Sequence, residues 1–409
     1  IMPKRVGNIY TRMDDPIFIR RCIEIGIKDS RKKKRGDVKR VLKDIDGAIE
    51  KMRAIVQKRS FHPKKPREKK IYDHSSEKYR DTQSVPFFPD GLMHIMVVQA
   101  MMDVLMRGMC HWSCSSVPGR GGKRVHDRIQ SAMRNDPKGT KNAAELDIKN
   151  YYANISLRLM MKAYERKIKD KEFLLLLSMI HACYDDSLAN AEKYGLSWED
   201  IVNDECGLQI GFYVCQWSAN FFLEPLDHFI ESLPGVKYIT RHMDNITLLG
   251  PNKKKLHQAV ELINGYLENN LGLTMKETWQ VYRTTFTAKT EKKHRLLAED
   301  KKRLQKPRMV SAVGYRFAHS HTIMRRRNFL RFTRQCRRAK KRLDAGKPIS
   351  FNMAAGLLSR IGQLKHCDSH NIRRKYVDPI GIKNLKEVVR NESKRRLASQ
   401  RGLYAGGAA

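Results

Sequence analysis

Helical spacing of apolar residues is the commonest pattern along the chain. Apolar side chains recur three and four residues apart over 41–55 and again over 256–267, where Gly272 marks the predicted helix end. The residues from 92 to 106 are mostly apolar and rich in methionine. The stretch around 157–187 contains the run FLLLLSMI. These two segments predict buried helices.

Two further stripes predict helices in the second half of the chain. The segment from Gln216 to Ile230 places large apolar residues near one face. Close to the C-terminus the apolar spacings are three, four, three and four, with Asn328 as the predicted cap and Gly346 as the predicted end. The residues of this last stripe are Phe329, Phe332, Cys336, Ala339 and Leu343.

Short apolar runs between turn residues predict strands. AAELDI ends near a carboxylate, and KYITRH and NITLLG are joined through Met243 and Asp244. Residues 61–90 are basic and broken by proline, which favours short strands and loops, whereas 188–206 form a polar insertion. Strands in the middle of a mostly helical chain predict an α+β fold.

Charge identifies the class of partner. The 81 Lys and Arg residues against 43 Asp and Glu residues give a net charge of +38, which a polyanion would neutralise. Nucleic acid is the leading partner because many phosphate contacts give tight, salt-sensitive binding. We find no apolar run of about 18 residues and no signal-peptide pattern, so we expect no membrane partner and a cytoplasmic location. The basic helical N-terminal segment suits solvent or RNA.

Eight cysteines are scattered without a CxxC pair, so a disulfide framework is not expected. Cys110, His111 and Cys114 form a local cluster. Both a zinc half-site and packing thiols remain open for it.

Two carboxylates are candidates for chemistry. Asp147 ends a predicted strand, and Asp244 lies at the tip of a strand-turn-strand. If the strands are neighbours, both carboxylates face one point and suit two Mg²⁺ ions, because hard cations prefer oxygen ligands and a metal pair stabilises both oxygens of a phosphoryl transfer. Taken alone, either aspartate could instead be an ordinary turn residue at the end of a strand, with no role in metal binding.

These carboxylates belong to an ordered series of motifs. AELDIKNYYANIS (144–156), GLQIGFYVCQWSANFFLEPLDHFI (207–230) and YITRHMDNITLLG (238–250) follow KYRDTQSVPFFPDGLMH (78–94) and precede LTMKETWQV (273–281) and SAVGYRF (311–317). The series resembles the successive motifs of prokaryotic reverse transcriptases, especially those of diversity-generating retroelements and related phage-defence enzymes. The resemblance implies a right-hand polymerase fold with fingers, a palm built on an antiparallel sheet, and a helical thumb.

The resemblance also implies domain limits. These are a basic helical N-terminal extension at 1–60, fingers at 61–135, a palm at 136–325 with an insertion at about 157–206, and a basic helical thumb and tail at 326–409.

Residue roles follow from matching each motif position. Asp147, Asp244 and the Ile148 carbonyl would hold two Mg²⁺ ions, for which Mn²⁺ could substitute, and Lys276 would protonate the leaving pyrophosphate. Lys78 and Arg80 would grip the triphosphate, because paired cations suit that task. Tyr152 would exclude a 2′-hydroxyl and so select dNTPs.

Further roles fall on glycine and basic positions. Gly211 and Gln216 would support the nucleotide, and Gly207 the template. Gly314 and Tyr315 would hold the primer end. Arg331 and Arg334 on the last long helix would bind primer and template.

The chain departs from the family's pattern at a few positions. His242-Met243-Asp244-Asn245 stands where the family has an aromatic residue, any residue and two aspartates. Asn245 suits a hairpin turn because asparagine tolerates positive φ, but it supplies no charge. Gln209 replaces a usual proline and Cys215 a usual serine.

The sequence therefore predicts an RNA-directed DNA polymerase that copies an RNA template or a dedicated noncoding RNA into DNA from a primer. An antiviral-defence enzyme and a diversity-generating retroelement both fit, and a small accessory protein or a second polymerase subunit is a further expected partner. A noncatalytic RNA-binding scaffold with the same fold, and an RNA polymerase, are the alternatives.

Overall fold

The computed structural model describes residues 4–28, 32–73, 78–285 and 307–405. The chain forms two units. Unit 1 comprises Ile1–Gly121, Leu146–Leu248 and Lys254–Gln280, and unit 2 comprises Gly122–Glu145, Leu249–Lys253 and Val281–Ala409.

Helices make up most of the described chain. In chain order they are α1 (Pro16–Ile27), α2 (Gly36–Lys43), α3 (Ile45–Gln57), α4 (Leu92–Ala100), α5 (Met102–Arg107), α6 (Gly122–Asn135), α7 (Tyr151–Asn154), α8 (Leu157–Glu165), α9 (Lys171–Ala182), α10 (Leu188–Lys193), α11 (Trp198–Val202), α12 (Tyr213–Phe222), α13 (Glu224–Ser232), α14 (Lys253–Leu271), α15 (Arg326–Asp344), α16 (Phe351–Gln363), α17 (His370–Ile372) and α18 (Ile382–Ala405). Short 3₁₀ or π turns occupy Thr11–Asp14, Lys32–Lys34, Phe87–Gly91, Leu364–His366 and Arg373–Val377.

In the described residues, three sheets accompany the helices. Their strands are β1 (Arg67–Asp73), β2 (Lys78–Ser84), β3 (Asn142–Asp147), β4 (Tyr238–His242), β5 (Asn245–Gly250), β6 (Gln280–Arg283), β7 (Val310–Ala312), β8 (Tyr315–Phe317) and β9 (Thr322–Met324). β1 and β2 form an antiparallel hairpin, four strands lie in the order β4-β5-β3-β6, and β7-β8-β9 form a small antiparallel sheet. The mixture of helices and strands confirms the α+β prediction.

The core of unit 1 lies around α9 and α12. Residues 173–181 of α9 are all buried, as their nearly uniform apolar sequence predicts. α12 buries Trp217, Phe221 and Phe222. At about 25 cal/mol per Å² of apolar surface, each such side chain contributes a few kcal/mol to folding.

Unit 2 has its own apolar cluster. Phe332, Cys336 and Ala339 of α15 pack in one cluster with Leu357 of α16 and Leu385 of α18. The predicted stripe of α15 is confirmed, with Phe329 and Leu343 partly buried at its edge. The basic residues of α15 consequently occupy its other faces.

Several helix boundaries differ from the prediction. The helix expected around 157–187 is two helices, because the Asp170 carboxylate accepts the Phe173 amide at 3.0 Å and starts a new helix at Lys171. The helix expected over 216–230 is also two, with Pro225 in the first turn of α13. The prediction that Asn328 caps the last long helix is wrong, since α15 begins at Arg326.

Within the described ranges, no helix combines the length and apolar character needed to cross a membrane. The helix ends predicted at Gly272 and Gly346 are confirmed, since α14 stops at Leu271 and α15 at Asp344.

Candidate active site

Asp147 is fixed by main-chain hydrogen bonds on the segment that ends β3. The Lys276 amide donates to the Asp147 carbonyl at 2.8 Å, and the Lys149 amide donates to the Thr274 carbonyl at 2.8 Å. Residues 147–149 and 274–276 therefore lie side by side, although about 125 residues of chain separate them.

Asp244 reaches the same place through the turn between β4 and β5. β5 lies next to β3 in the sheet, and the Ile148 amide donates to the Asp244 carbonyl at 3.3 Å. Met243 carries the positive φ of this turn, at 57°, whereas Asn245 begins β5. The expectation that Asn245 would supply the positive φ is wrong. Its side chain instead donates to Asp244 Oδ1 at 3.0 Å.

The two carboxylates influence each other electrostatically. Burial and the negative charge of Asp147 raise the pKa of Asp244 above its usual value, and Lys276 opposes this rise. Two like charges held this close on a folded frame repel one another unless a cation lies near them.

Lys276 provides such a cation. Its Nζ lies 2.6 Å from Oδ1 of Asp147. The contact is an ion pair without hydrogen-bond alignment, because the buried Oδ1 atom accepts no hydrogen bond from any described residue. The charge of Lys276 compensates the burial of this oxygen. Oxygens of this kind suit a hard cation such as Mg²⁺, and the residues present fit one.

A buried ion pair supports the turn that carries Asp244. Arg241 and Asp227 are fully buried and joined by two hydrogen bonds of 2.6 Å. Arg241 also donates to the Met243 carbonyl at 3.1 Å, to Asn220 Oδ1 at 3.2 Å and to Ser113 Oγ at 2.9 Å. Sequence reasoning missed this network. An arginine inside an otherwise apolar strand run was the signal that could have revealed it.

Arg241 stays charged in this environment. Burial lowers its pKa, but the charge of Asp227 and the hydrogen bonds to it outweigh burial and raise the pKa above the ordinary arginine value. The guanidinium therefore acts as a permanent clamp between α13 and the turn of the β4-β5 hairpin.

Tyr152 lies beside the carboxylates. It is half-buried, and burial with the nearby groups Cys215 and Asp244 raises the pKa of its phenol. Its carbonyl accepts the Leu208 amide at 2.8 Å, which ties α7 to the glycine loop. The phenol consequently stays neutral and presents a bulky ring near Asp244.

Gly211 brings the glycine loop against β2. Its φ is +123°, and a Cβ added there would lie 2.3 Å from the Gln83 carbonyl oxygen, so a side chain is excluded. The Gln83 amide donates to the Ile210 carbonyl at 2.7 Å. Gly207 lies in the same loop with φ +111°, and Gln216 is exposed on α12.

The departures at Gln209 and Cys215 contact each other. The Cys215 thiol donates to Gln209 Oε1 at 3.4 Å, and Gln209 Nε2 donates to the His181 carbonyl at 2.8 Å. The ring of His181 also lies 3.1 Å from Ser218 Oγ. Gln209 and Cys215 therefore belong to one hydrogen-bonded group with His181.

Lys78 and Arg80 lie on β2. Lys78 is opposite Asp73 and Arg80 is opposite Ile71 in the hairpin register. Arg80 is exposed, whereas the side chain of Lys78 lies outside the described part of the structure.

The predicted primer residues belong to unit 2. Gly314, at φ +90°, lies in the turn between β7 and β8, and its carbonyl accepts the Arg325 amide at 2.9 Å. Tyr315 donates its hydroxyl to the Gln363 carbonyl at 3.0 Å. Arg331 is partly exposed and Arg334 exposed on α15. The other predicted site residues lie in unit 1, where Asp147, Ile148, Tyr152, Asp244 and Lys276 come together.

No family model matches the chain, and no curated protein matches it. Among solved structures the chain is similar to telomerases. Apo telomerase from Candida tropicalis truncated from its C-terminal domain aligns over 64% of this chain and 55% of that chain, with a TM-score of 0.41 and 10% identity. Apo telomerase from Candida tropicalis aligns over 82% and 58%, with a TM-score of 0.40 and 12% identity. Telomerase from Candida albicans in complex with the TWJ fragment of telomeric RNA aligns over 84% and 57%, with a TM-score of 0.41 and 12% identity. The chain thus spans a little over half the length of the telomerase chains that it matches.

Proposed function

We propose that this chain is an RNA-directed DNA polymerase of the right-hand type, with Asp147 and Asp244 as its catalytic carboxylates. One observation carries the proposal: Asp147 and Asp244 lie side by side at the ends of neighbouring strands, joined by the hydrogen bond from the Ile148 amide to the Asp244 carbonyl. The order of the sequence motifs gives that pair its chemical meaning.

Asp147, Asp244 and the carbonyl of Ile148 would hold Mg²⁺. When bound, the metal pair supplies charge stabilisation at the attacking and leaving oxygens of a phosphoryl transfer. Lys276 balances the charge of Asp147 and would serve as a proton donor at the same edge of the sheet.

Selection of the sugar is assigned to Tyr152. Its half-buried ring near Asp244 leaves little room for a 2′-hydroxyl, which favours dNTPs over ribonucleotides. A change of Tyr152 to alanine should therefore admit ribonucleotides. If the chain were an RNA polymerase, the same change would leave ribonucleotide use unaltered.

Template and primer binding is assigned to the basic surface. The net charge of +38 and the basic faces of α15 fit phosphate contacts, so affinity for RNA should fall steeply as salt rises. Removing one phosphate-binding cation, for example through Arg334→Gln, should lower the slope of log affinity against log salt by about 1.

The biological role proposed is synthesis of DNA from a dedicated noncoding RNA, in a prokaryotic antiviral-defence system or a diversity-generating retroelement. An accessory protein or a second polymerase subunit is the proposed protein partner. Purification of the chain from its host, followed by sequencing of bound RNA and newly made DNA, identifies the template and distinguishes these roles.

Primer extension tests the enzyme directly. The chain, Mg²⁺, dNTPs and an RNA template with a DNA primer should give product, and Asp147→Asn should lower the rate by roughly 10²-fold or more, because several kcal/mol of charge stabilisation is removed. Asp204→Asn removes a carboxylate that is 93% exposed and should leave the rate unchanged. Equal rates for the wild type and Asp147→Asn would overturn the proposal.

A noncatalytic RNA-binding scaffold is the second candidate, and Asn245 favours it because its amide supplies no negative charge. In that case RNA binding persists and neither protein extends the primer in Mg²⁺ or Mn²⁺.

A further inference from the structure

Three metal-ligating side chains converge on the surface of unit 1, in a cluster separate from Asp147 and Asp244. Cys110 follows α5, and His228 and Glu231 lie one turn apart on α13. Cys110 Sγ lies 3.5 Å from His228 Nδ1 and 3.8 Å from Glu231 Oε2. His228 Nδ1 and Glu231 Oε2 are 3.9 Å apart.

Hydrogen bonds to groups outside the cluster fix which atoms of His228 and Glu231 face Cys110, whose Sγ also lies 4.0 Å from His228 Nε2. His228 Nε2 lies 2.8 Å from the Gly108 carbonyl oxygen. A carbonyl oxygen only accepts, so Nε2 carries the hydrogen and the neutral ring presents a lone pair at Nδ1. Trp112 Nε1 donates to Glu231 Oε1 at 2.9 Å, and Oε2 accepts the Cys110 thiol, whose hydrogen is lost when a metal binds the sulfur. Metal-binding histidines and carboxylates typically have such outer partners.

We propose that Cys110, His228 and Glu231 bind one Zn²⁺ ion through Sγ, Nδ1 and Oε2, with water as the fourth ligand. Tetrahedral zinc with bonds of about 2.3 Å to sulfur and about 2.0–2.1 Å to nitrogen or oxygen places its ligand atoms about 3.3–3.6 Å apart. The Sγ–Nδ1 separation lies within that range, the Sγ–Oε2 and Nδ1–Oε2 separations are longer by about 0.2–0.6 Å, and the His228 ring would turn to direct Nδ1 at the ion. A thiolate, an imidazole and a carboxylate are also the ligand types that zinc prefers.

The cluster differs from the zinc half-site considered for the sequence. Cys114 is buried, and its thiol contacts the Trp112 carbonyl at 3.3 Å, away from the three ligands. Cys110 and His228 are 118 residues apart, so no spacing rule brings them together.

The ion would fasten an added strand to the sheet. The Arg241 amide donates to the Trp112 carbonyl at 3.2 Å, and the Cys114 amide donates to the Arg241 carbonyl at 2.9 Å. Residues 112–114 thus pair with β4, whose turn carries Asp244. Zinc would tie this pairing segment to α13 and stabilise the unit from its outer side.

Zinc binding to the full-length chain tests the site. The protein, reduced and stripped with a chelator, should take up one equivalent of Zn²⁺ in elemental analysis, and its melting temperature should rise on addition of Zn²⁺ alone. Co²⁺ in its place should give a thiolate charge-transfer band. Cys110→Ser should lose that band, and Glu231→Gln should weaken zinc binding by at least about tenfold.

Cys206→Ser is the matched control, because it removes an exposed cysteine outside the cluster and should bind zinc like the wild type. Zinc uptake unchanged in Cys110→Ser, or no uptake by the wild type, would overturn the proposal. The test does not depend on polymerase activity.

Discussion

Arg241→Met probes the buried clamp behind the candidate active site. The substitution removes a guanidinium that is fully buried and leaves the Asp227 carboxylate, also fully buried, without its partner. Methionine fills most of the volume, so the main effect is electrostatic. Four further acceptor atoms, one each on Ser113 and Met243 and two on Asn220, also lose a donor.

The cost follows from these contacts. Removing one partner of a buried ion pair typically destabilises a protein by about 3–5 kcal/mol, against a total stability of about 5–15 kcal/mol. That shifts the folding equilibrium by roughly 10²- to 10⁴-fold. Arg241→Met combined with Asp227→Leu removes both charges, so it should recover about 2 kcal/mol or more of the loss, with the unpaired acceptors accounting for the remainder.

Denaturant unfolding of the single and double variants measures this coupling. Lys340→Met is the control, because it breaks a half-exposed i,i+4 pair with Asp344 and should cost about 0.5 kcal/mol or less. A loss below about 1 kcal/mol for Arg241→Met, or additive losses in the double variant, would refute the reasoning. In primer extension the double variant should stay slow, since no donor holds the Met243 carbonyl.

Three other predictions concern the same unit. The raised pKa of Asp244 means that, without metal, its carboxylate takes up a proton at a higher pH than an ordinary aspartate; an NMR titration of the metal-free chain should show this, Mg²⁺ should lower the pKa, and a pKa that Mg²⁺ leaves unchanged would contradict the proposed role. Asn245→Asp adds a carboxylate and should lower the Mg²⁺ concentration for half-maximal extension; an unchanged titration would show that position 245 lies outside the metal shell. Gly211→Ala should lower the free energy of unfolding by at least about 1–3 kcal/mol, because its φ is positive and the added Cβ would meet the Gln83 carbonyl. The control Gly265→Ala has open space around it in α14 and should raise the free energy of unfolding by about 0.5–1 kcal/mol. Thermal unfolding measures both.

The sequence predicted those helices and strands whose structure depends on residues close together in the chain. The stripe of α15, the end of α14 at Gly272 and the β4-β5 hairpin follow from spacing and turn residues within a few positions. The boundary at Asp170 could not be predicted in this way, because its carboxylate also accepts the amides of Ile9 and Tyr10, about 160 residues away.

The same distinction between local and long-range contacts applies to the candidate site. Asp147 and Asp244 end predicted strands, so their positions were accessible from the sequence. The Arg241–Asp227 pair depends on a helix and a strand meeting in the folded core, and the Cys110 cluster on residues 118 positions apart. Asn328 failed as a cap because its amide side chain instead donates to the Gly314 carbonyl at 3.3 Å.

Main-chain hydrogen bonds join the two segments that carry the carboxylates. Ile148 donates to the Asp244 carbonyl, and Lys276 donates to the Asp147 carbonyl, through backbone groups that every residue except proline possesses. Side chains at 147, 244 and 245 can therefore be exchanged while the frame beneath them stays folded. Single substitutions at these positions should change the reactivity of the site without unfolding the protein. Inactive variants of this kind should therefore remain folded and be usable to capture bound nucleic acid.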